Sequence, residues 1–449
     1  MRPSGQQRPQ FATPLTSIEI CAGAGGQAVG LHNAGFDHLA LVEWDADAVD
    51  TLRANVGDWP GWTAERAKAL RPMDVKTFLD SKEYEQLGLT QGELDLLAGG
   101  VPCPPFSLAG KRLGKNDERD LFPAALDIAK ALLPKAVMIE NVRGILEPPE
   151  VFIEYRAWIL DELRKLDYVV PELDSCSSPR QQDYAMRRVW RRLDASDFGV
   201  PQLRPRAILV AIHEDAIKRN GVEFVWPQRV SRRQVSVVGK LRRTMRERCE
   251  DFWHKNQEGE LASSSDRTGK DVFYEWLINA KNARDAGRGV APTLVGGSRK
   301  HGGADLGPTR AKRAWAAMGV NAMGVANDRK ACDPERDLFR PAGPMLTVEQ
   351  AAIIQGFPRD WDFQGKKTAR YRQVGNAFPP PVAEAVGRAI AAVLRPEHRE
   401  ELLEGYVMDT NDSPAVKPDP EQMEIPVSGM SPRDSAGYDR RGDFVGAPV

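Results

Sequence analysis

Between Ser17 and about residue 212, short apolar runs alternate with stretches whose apolar residues recur at helical spacing. We predict strands at SIEICAG, HLALVEWD, LDLLAGG, KAVMIENV and RAILVAI, and helices at intervening stretches such as VFIEYRAWILDELRKLDY. Strands that alternate with helices predict an α/β fold, with a doubly wound, mostly parallel sheet. Ligands bind such sheets beyond the carboxyl ends of the strands. Three clusters occupy such ends: CAGAGG, GGVPCPPFS and ENV.

The remainder of the chain divides by composition. Residues 1–14 are polar and rich in proline and glutamine, which predicts a flexible N-terminus. The alternation fades after about residue 213, so residues 213–343 are predicted to form a second, smaller domain. A helical apolar period returns in residues 344–396, which we expect to rejoin the domain formed by residues 15–212. Residues 397–449 are acidic and poor in large apolar side chains, which predicts a disordered tail.

Charge is distributed unevenly along the chain, although the net charge is only -1. Residues 201–330 contain 25 Lys and Arg against 14 Asp and Glu, a surplus of +11. Residues 400–449 contain 4 against 11, which gives -7. The basic middle indicates a face that binds a polyanion, and a solvated helix surface is the alternative that charge alone leaves open.

Several protein classes do not fit this sequence. No apolar run reaches the roughly 18 residues of a membrane span, and the N-terminus has no apolar signal core, so we expect a cytosolic protein. The five cysteines are an odd number and form no C-x-x-C pair. This argues against a disulfide framework and against a cysteine-rich zinc site.

A glycine loop follows the first predicted strand. Gly23, Gly25 and Gly26 allow a sharp turn and a close approach of the backbone to a ligand. Glu43 ends the next strand, where an acid can hold a ribose diol, and the neighbouring Trp44 can stack on an adenine ring. Together these residues indicate a nucleoside cofactor of unspecified kind, with a purely structural turn as the alternative.

Two further clusters contain candidate reactive groups. Cys103 lies in a loop between Pro102 and Pro104, which fix the backbone and hold the thiol rigidly. A lone cysteine can also be a small apolar residue, so this position alone does not establish a nucleophile. Glu140 ends an apolar strand, where partial desolvation raises the pKa of a carboxyl group and allows it to donate a proton. An acid that precedes a helix N-terminus is the other interpretation.

Polar residues near two later elements complete the candidate set. Arg204 and Arg206 alternate just before a strand and can grip a carbonyl or phosphate oxygen, or form surface salt bridges. Asn376 lies in a glycine- and proline-rich turn before an amphipathic helix. On its own it is a candidate helix cap.

The order and spacing of these clusters are more specific than any one of them. ICAGAGG, VEWD, GGVPCPPFS, ENVRGI, DFGVPQLRPR, GVAPTL and RQVGNAFPPPVAEAV resemble the ordered motifs of the cytosine-carbon-5 DNA methyltransferases of bacterial restriction-modification systems. The resemblance covers about residues 16–212 and 288–395. It implies a Rossmann-like methyltransferase domain in residues 15–212 plus 344–396, and a target-recognition domain in residues 213–343.

The resemblance also implies a role for each matching residue. Cys103 is then the nucleophile, and Glu140 contacts ring nitrogen 3 and the exocyclic amine of a cytosine flipped out of the duplex. Arg206 contacts oxygen 2 of that base, with Arg204 in support. The residues implied for S-adenosyl-L-methionine are Glu43 and Trp44 at the ribose and adenine, Asp74 at the adenine amine, and Gly23, Gly25, Gly26 and Asn376 at the methionine end. The family uses no metal.

This sequence departs from the family pattern at several positions. Glu19 and Cys21 replace an aspartate and a phenylalanine in the first motif, so that stacking on the adenine relies on Trp44. Pro104 follows the catalytic cysteine where glutamine is common. The stretch PELDSCSSPRQQDYAMRR interrupts the usual approach to DFGVPQ like an insertion.

The expected function is therefore transfer of a methyl group to carbon 5 of cytosine in a specific double-stranded DNA sequence. We expect a monomer near the bacterial nucleoid that makes no membrane contact and protects host DNA against a cognate endonuclease without binding it stably. An RNA cytosine methyltransferase of the same architecture is the nearest alternative. A nicotinamide-dependent oxidoreductase fits the glycine loop but leaves Cys103, Glu140 and Arg206 without a joint purpose. The Pro-Cys loop argues against a non-catalytic DNA-binding relative.

Overall fold

The computed structural model describes residues 7–102, 120–231, 234–254, 267–296 and 305–409 of the 449-residue chain. The strands in these ranges are β1 (Leu15–Ile20), β2 (Phe36–Val42), β3 (Leu96–Gly100), β4 (Ala136–Val142), β5 (Trp190–Asp194), β6 (Pro205–Ile212), β7 (Pro227–Val230) and β8 (Tyr406–Met408).

Six of these strands form one sheet in the order β2-β1-β3-β4-β6-β5. β1 is parallel to β2 and β3, and β3 is parallel to β4. β6 runs antiparallel to both β4 and β5. The prediction of a mostly parallel α/β sheet is confirmed. The sequence did not reveal β5, which forms one edge of the sheet directly after the insertion-like stretch.

Helices cover both faces of this sheet. The α-helices among the described residues are α1 (Gly26–Asn33), α2 (Ala46–Asn55), α3 (Ala64–Ala69), α4 (Lys82–Leu87), α5 (Phe122–Leu132), α6 (Pro149–Arg164), α7 (Pro179–Met186), α8 (Glu214–Asn220), α9 (Val237–Glu250), α10 (Gly269–Asp285), α11 (Thr309–Ala317), α12 (Pro334–Asp337), α13 (Val348–Gln355), α14 (Lys367–Asn376), α15 (Pro380–Leu394) and α16 (Arg399–Leu403). The 3-10 helices are Val75–Asp80, Arg143–Ile145, Ala195–Phe198, Arg329–Ala331 and Pro396–His398.

The strands are apolar on both faces because each face packs against helices. On one face, α1 and α15 pack together, and every residue of α15 is buried. On the other face, α5 and α6 supply apolar side chains such as Phe122 and Ile159. The carboxyl ends of β1, β3 and β4 therefore meet at one edge between these two layers, where CAGAGG, ENV and the described residues 99–102 of GGVPCPPFS lie.

A further core lies around the buried Trp276 and Trp315. It is built by α9, α10, α11, α13 and α14, and α13 packs on both α9 and α14. Residues 348–374 thus share apolar contacts with residues 237–339. By contrast, α8 packs on α15 of the sheet layer, and β7 pairs with β8.

Both ends of the described chain contact the sheet layer. Arg8 donates to the backbone oxygen of His32 at 2.9 Å and pairs with Asp37. Phe11 packs against His398 in an edge-to-face arrangement. The chain continues past residue 396 through α16 to β8. Within the described ranges, no helix combines the length and apolar character needed to cross a membrane.

Candidate active site

The glycine loop connects β1 to α1 at the shared edge of the sheet. Gly25 has a φ of +84° and precedes the first residue of α1, a conformation that side chains rarely adopt. Gly23 has a φ of +55°, and a Cβ atom added there would meet no atom within 4 Å. The loop therefore presents an open backbone surface beside Gly23, as a nucleoside-binding turn requires.

The side chain of Glu43 holds this loop in place. Its two carboxylate oxygens accept hydrogen bonds from the backbone N–H of Gly23 at 2.7 Å and of Asp45 at 2.8 Å. Burial raises the pKa of Glu43, and the backbone donors of Asp45 and Gly23 oppose the rise. Each oxygen has a second lone pair, so Glu43 can still accept from a diol.

Trp44 and Asp74 lie near Glu43 at the surface. The Trp44 side chain is 77% exposed, which is unusual for so large an apolar residue and leaves its ring free to stack. The backbone N–H of Met73 donates to the backbone oxygen of Glu43 at 2.7 Å. This bond brings the neighbouring Asp74, which is exposed, to the same edge. Asp74 Oδ1 accepts from the N–H of Lys76 at 3.0 Å and caps the short helix Val75–Asp80.

Glu140 and Arg206 meet across the neighbouring strands β4 and β6. Arg206 Nε lies 2.7 Å from Glu140 Oε1, and both side chains are 12% exposed. Burial raises the pKa of Glu140 even though Arg206 and Arg204 oppose the rise. The rise is the one predicted from its position at the end of an apolar strand.

Arg204 serves a different set of partners. Its guanidinium donates to the backbone oxygens of Leu294 at 2.7 Å, Gly375 at 2.8 Å and Ala377 at 2.9 Å. The residue is only 1% exposed, and burial lowers its pKa. Arg204 therefore joins the start of β6 to two distant segments, in keeping with the supporting role implied by the resemblance.

Asn376 is the last residue of α14 and not a cap of the following helix, because α15 has Pro379 at its N-cap. A Cβ atom added to Gly296 would lie 2.3 Å from Asn376 Oδ1. One added to Gly375 would lie 2.5 Å from the backbone nitrogen of Gly296. The C-terminal end of α14 and residues 295–296 therefore contact each other through two glycines.

Cys103 lies outside the described residues, as does the rest of its loop up to residue 119. The structure does describe where that loop begins. Gly100, at the end of β3, pairs in register with Glu140, and a Cβ atom added to it would lie 3.3 Å from Glu140 Oε2. The Pro-Cys segment therefore starts next to the Glu140–Arg206 pair.

Sequence reasoning did not single out three side chains that organise this site. Gln202 and Gln355 are fully buried and hydrogen-bonded to each other at 2.7 Å. Trp361 donates from Nε1 to the backbone oxygen of Ala24 at 3.0 Å, and its ring lies against Gly25. Gln202 is part of the quoted motif DFGVPQLRPR, whereas no local pattern marks Gln355 or Trp361.

The side chains that could hold a metal ion at this edge are those of His, Cys, Asp and Glu. Among the residues that the structure describes, no group of three or more His, Cys, Asp or Glu side chains is arranged to hold a metal. An open glycine loop, the Glu43 carboxylate and the exposed Trp44 lie together at this edge.

Comparison with known proteins agrees with this arrangement. Residues 15–392 match the model of the family described as C-5 cytosine-specific DNA methylase. The chain is 44% identical over 386 residues to the type II methyltransferase M.NaeI of Lentzea aerocolonigenes, a match that covers 85% of this chain and 76% of that protein. It is 40% identical over 391 residues to the type II methyltransferase M.NgoMIV of Neisseria gonorrhoeae, covering 86% and 99%.

The matched region includes the glycine loop, the Glu140–Arg206 pair and the turn at Asn376. A family match over so much of the chain, together with relatives this similar, confirms the resemblance seen in the ordered motifs. The chain belongs to the C-5 cytosine-specific DNA methylase family and is a DNA (cytosine-5-)-methyltransferase.

Proposed function

We propose that the chain methylates carbon 5 of cytosine within a specific sequence of double-stranded DNA, with S-adenosyl-L-methionine as methyl donor. The observation that carries this proposal is the Glu140–Arg206 pair at 2.7 Å beside the start of the Pro-Cys loop. An acid near the carboxyl end of β4 and a guanidinium at the amino end of the antiparallel β6, held together, match the N3 and O2 edge of a cytosine.

The methyl donor is assigned to the glycine-loop end of the same edge. Glu43 accepts from the ribose hydroxyls, Trp44 stacks on the adenine, and Asp74 accepts from the adenine amine. Gly23, Gly25, Gly26 and Asn376 line the methionine end. When bound, the donor supplies an electrophilic methyl group on sulfur.

Cys103 is the proposed nucleophile. Carbon 5 of cytosine reacts too weakly by itself, and addition of the Cys103 thiolate to carbon 6 makes carbon 5 electron-rich. After carbon 5 is methylated, loss of its proton and elimination of the thiolate release the product. The sulfur thus bonds to the base only transiently.

Glu140 and Arg206 stabilise the charge that develops during this addition. Glu140 is assigned to nitrogen 3 of the base, and burial raises its pKa, which favours the protonated carboxyl that can share a proton there. Arg206 donates to oxygen 2 within a site from which water is largely excluded, where such contacts are strong. Arg204 supports Arg206 indirectly, because its hydrogen bonds to the backbone oxygens of Leu294 and Gly375 hold the start of β6 in place.

Access to the target base requires it to leave the duplex, at a cost of a few kcal/mol. We assign phosphate contacts and base-edge readout to residues 213–343, with the surplus of +11 charge across residues 201–330 as support. Residues 15–212 plus 344–396 then carry the chemistry. M.NaeI and M.NgoMIV are named type II methyltransferases, and we assign this chain the same place beside a cognate endonuclease.

Covalent trapping tests this proposal. Bisulfite sequencing of DNA from cells that express the chain identifies the methylated site. A duplex with 5-fluorocytosine at that site should then form a denaturant-resistant complex with the protein when donor is present, because the fluorine cannot leave as a proton does.

The Cys103→Ala variant is the control, and it should bind donor but form no complex. Methylation by Cys103→Ala at the wild-type rate would exclude the mechanism. A parallel assay on tRNA distinguishes DNA from RNA as the substrate.

A further inference from the structure

Gln202 and Gln355 form a buried amide pair behind the candidate site. Gln202 Nε2 donates to Gln355 Oε1 at 2.7 Å, although the residues lie 153 positions apart in sequence. Both side chains are 0% exposed. Buried amides are costly unless their donors and acceptors are paired, so this contact needs a complete set of partners.

Each amide makes a second hydrogen bond to the backbone of a functional segment. Gln202 Oε1 accepts from the N–H of Leu294 at 2.8 Å, and Gln355 Nε2 donates to the oxygen of Ala377 at 2.5 Å. The bonds run in one direction from Leu294 through both glutamines to Ala377. Hydrogen bonds in such a chain polarise and strengthen one another.

Leu294 and Ala377, at the two ends of this series of hydrogen bonds, lie next to groups assigned to the reaction. Ala377 directly follows Asn376, and Leu294 lies two residues before Gly296, which contacts Asn376. Gln202 precedes β6, which contains Arg206. Segment 201–203 is also bonded to Ala291, because Leu203 N–H donates to the Ala291 oxygen and Ala291 N–H donates to the Pro201 oxygen, both at 2.8 Å.

We propose that Gln355 is a positioning residue that sets the turn containing Asn376 relative to the start of β6. This inference rests on the proposed function, because it takes Asn376 to line the methionine end of the donor site. Gln355 touches neither base nor donor and acts through the oxygen of Ala377. Arg204 shares that acceptor at 2.9 Å, so loss of Gln355 loosens the turn without releasing it completely.

The same helix offers a matched control. Gln350 is also in α13 and also 0% exposed, but its amide oxygen accepts from Arg248 at 2.8 Å and its backbone N–H is capped by Thr347. Arg248 lies in α9 and Thr347 is the N-cap of α13, so neither partner belongs to the turn at Asn376. A merely structural role for buried glutamines in α13 predicts equal effects at positions 350 and 355.

The test compares Gln355→Met with Gln350→Met, because methionine preserves the length of the side chain and removes its hydrogen bonds. Binding of S-adenosylhomocysteine to the purified proteins is measured by titration calorimetry, and thermal unfolding is recorded for both. We expect both variants to unfold at a lower temperature. We expect the Kd to rise about 10-fold in Gln355→Met, within the range for an unmade buried hydrogen bond, and less than 2-fold in Gln350→Met.

A second pair of variants keeps the proposal falsifiable if Gln355→Met does not fold. Gln355→Glu retains an acceptor for Gln202 but removes the donor to Ala377, so it should also weaken binding. Gln202→Met should weaken binding too, because it removes the partner of Gln355. Where Gln355→Met does fold, combining it with Gln202→Met should weaken binding by less than the product of the single effects.

Equal Kd values for wild type and a folded position-355 variant would overturn the proposal. So would equal losses at positions 350 and 355. Failure of the wild-type protein to methylate cytosine would instead refute the proposed function, and the binding measurement is independent of that result.

Discussion

Arg206 pairs with Glu140 along a diagonal between two antiparallel strands. In register, Glu140 faces Ile208 and Arg206 faces Val142, yet Arg206 Nε reaches Glu140 Oε1 at 2.7 Å. Both side chains lie on one face of the sheet, because residues two apart in a strand point the same way. The register of β4 and β6 therefore places the carboxylate and the guanidinium side by side at one end of the sheet.

Glu140→Gln should remove the loss of activity at high pH. Burial raises the pKa of Glu140, and the proposed reaction needs its protonated form, so the single-turnover rate falls when the pH rises through that pKa. Glutamine does not titrate, and we expect a rate about 10²–10⁴-fold lower without that fall. Transfer of labelled methyl groups at saturating donor across a pH series measures both effects. If the variant kept the high-pH loss, another group would be responsible.

Trp44→Ala should weaken donor binding while leaving the fold intact. The indole is 77% exposed, so its removal should change the free energy of unfolding by no more than about 0.5 kcal/mol. Calorimetric titration with S-adenosylhomocysteine should show a Kd about 5- to 10-fold higher, as expected for a lost aromatic stack of about 1 kcal/mol. Trp44→Phe keeps an aromatic ring and is the control. Unchanged binding by Trp44→Ala would place the adenine elsewhere.

His38 should make the protein less stable as the pH falls. Its Nε2 lies 3.0 Å from the oxygen of Ala28, and its Nδ1 lies 3.0 Å from Ser17 Oγ. A carbonyl only accepts, so Nε2 carries the proton of the neutral ring. Burial lowers the pKa of His38 to about 4, from 6.5.

Between pH 6.5 and about 4, His38 is therefore protonated in the unfolded chain and neutral in the folded protein. The contribution of His38 to stability is complete above pH 6.5 and is lost as the pH falls toward 4, by about 3 kcal/mol. Urea unfolding of wild type and His38→Gln at pH 7.5 and 4.5 measures this, because glutamine does not titrate. An equal pH dependence in the two proteins would contradict the prediction.

Gly375→Ala should open the contact between the C-terminal end of α14 and residues 295–296. The added methyl group would lie 2.5–2.6 Å from backbone atoms of Gly296 and Val295, which are not free to rotate away. We expect a loss of about 1–3 kcal/mol in the free energy of unfolding, as for other overpacked sites. Urea unfolding checks this against Gly144→Ala, where the methyl group meets no atom within 4 Å. Equal stabilities would show that the contact is adaptable.

Much of the fold could be predicted from local patterns. The apolar runs that became β1, β3 and β4, the helical spacing of α6 and the glycine loop before α1 all depend on residues close together in sequence. β5 was missed because WRRLD carries three charged residues in five, and its strand is stabilised by pairing with β6. That pairing joins two separate stretches of the chain, and periodicity within WRRLD alone cannot reveal it.

The sequence by itself determined the family and the type of fold, and it predicted Glu140, Glu43 and the glycine loop as candidate site residues, because ordered motifs and strand ends are local properties of the chain. Only the tertiary structure decided which groups act together. It joined Arg206 to Glu140, gave Arg204 three backbone acceptors and linked Gln202 to Gln355. Buried polar groups are hydrogen-bonded to the partners that packing brings near them. Those partners can be far apart in sequence, so sequence spacing does not reveal them.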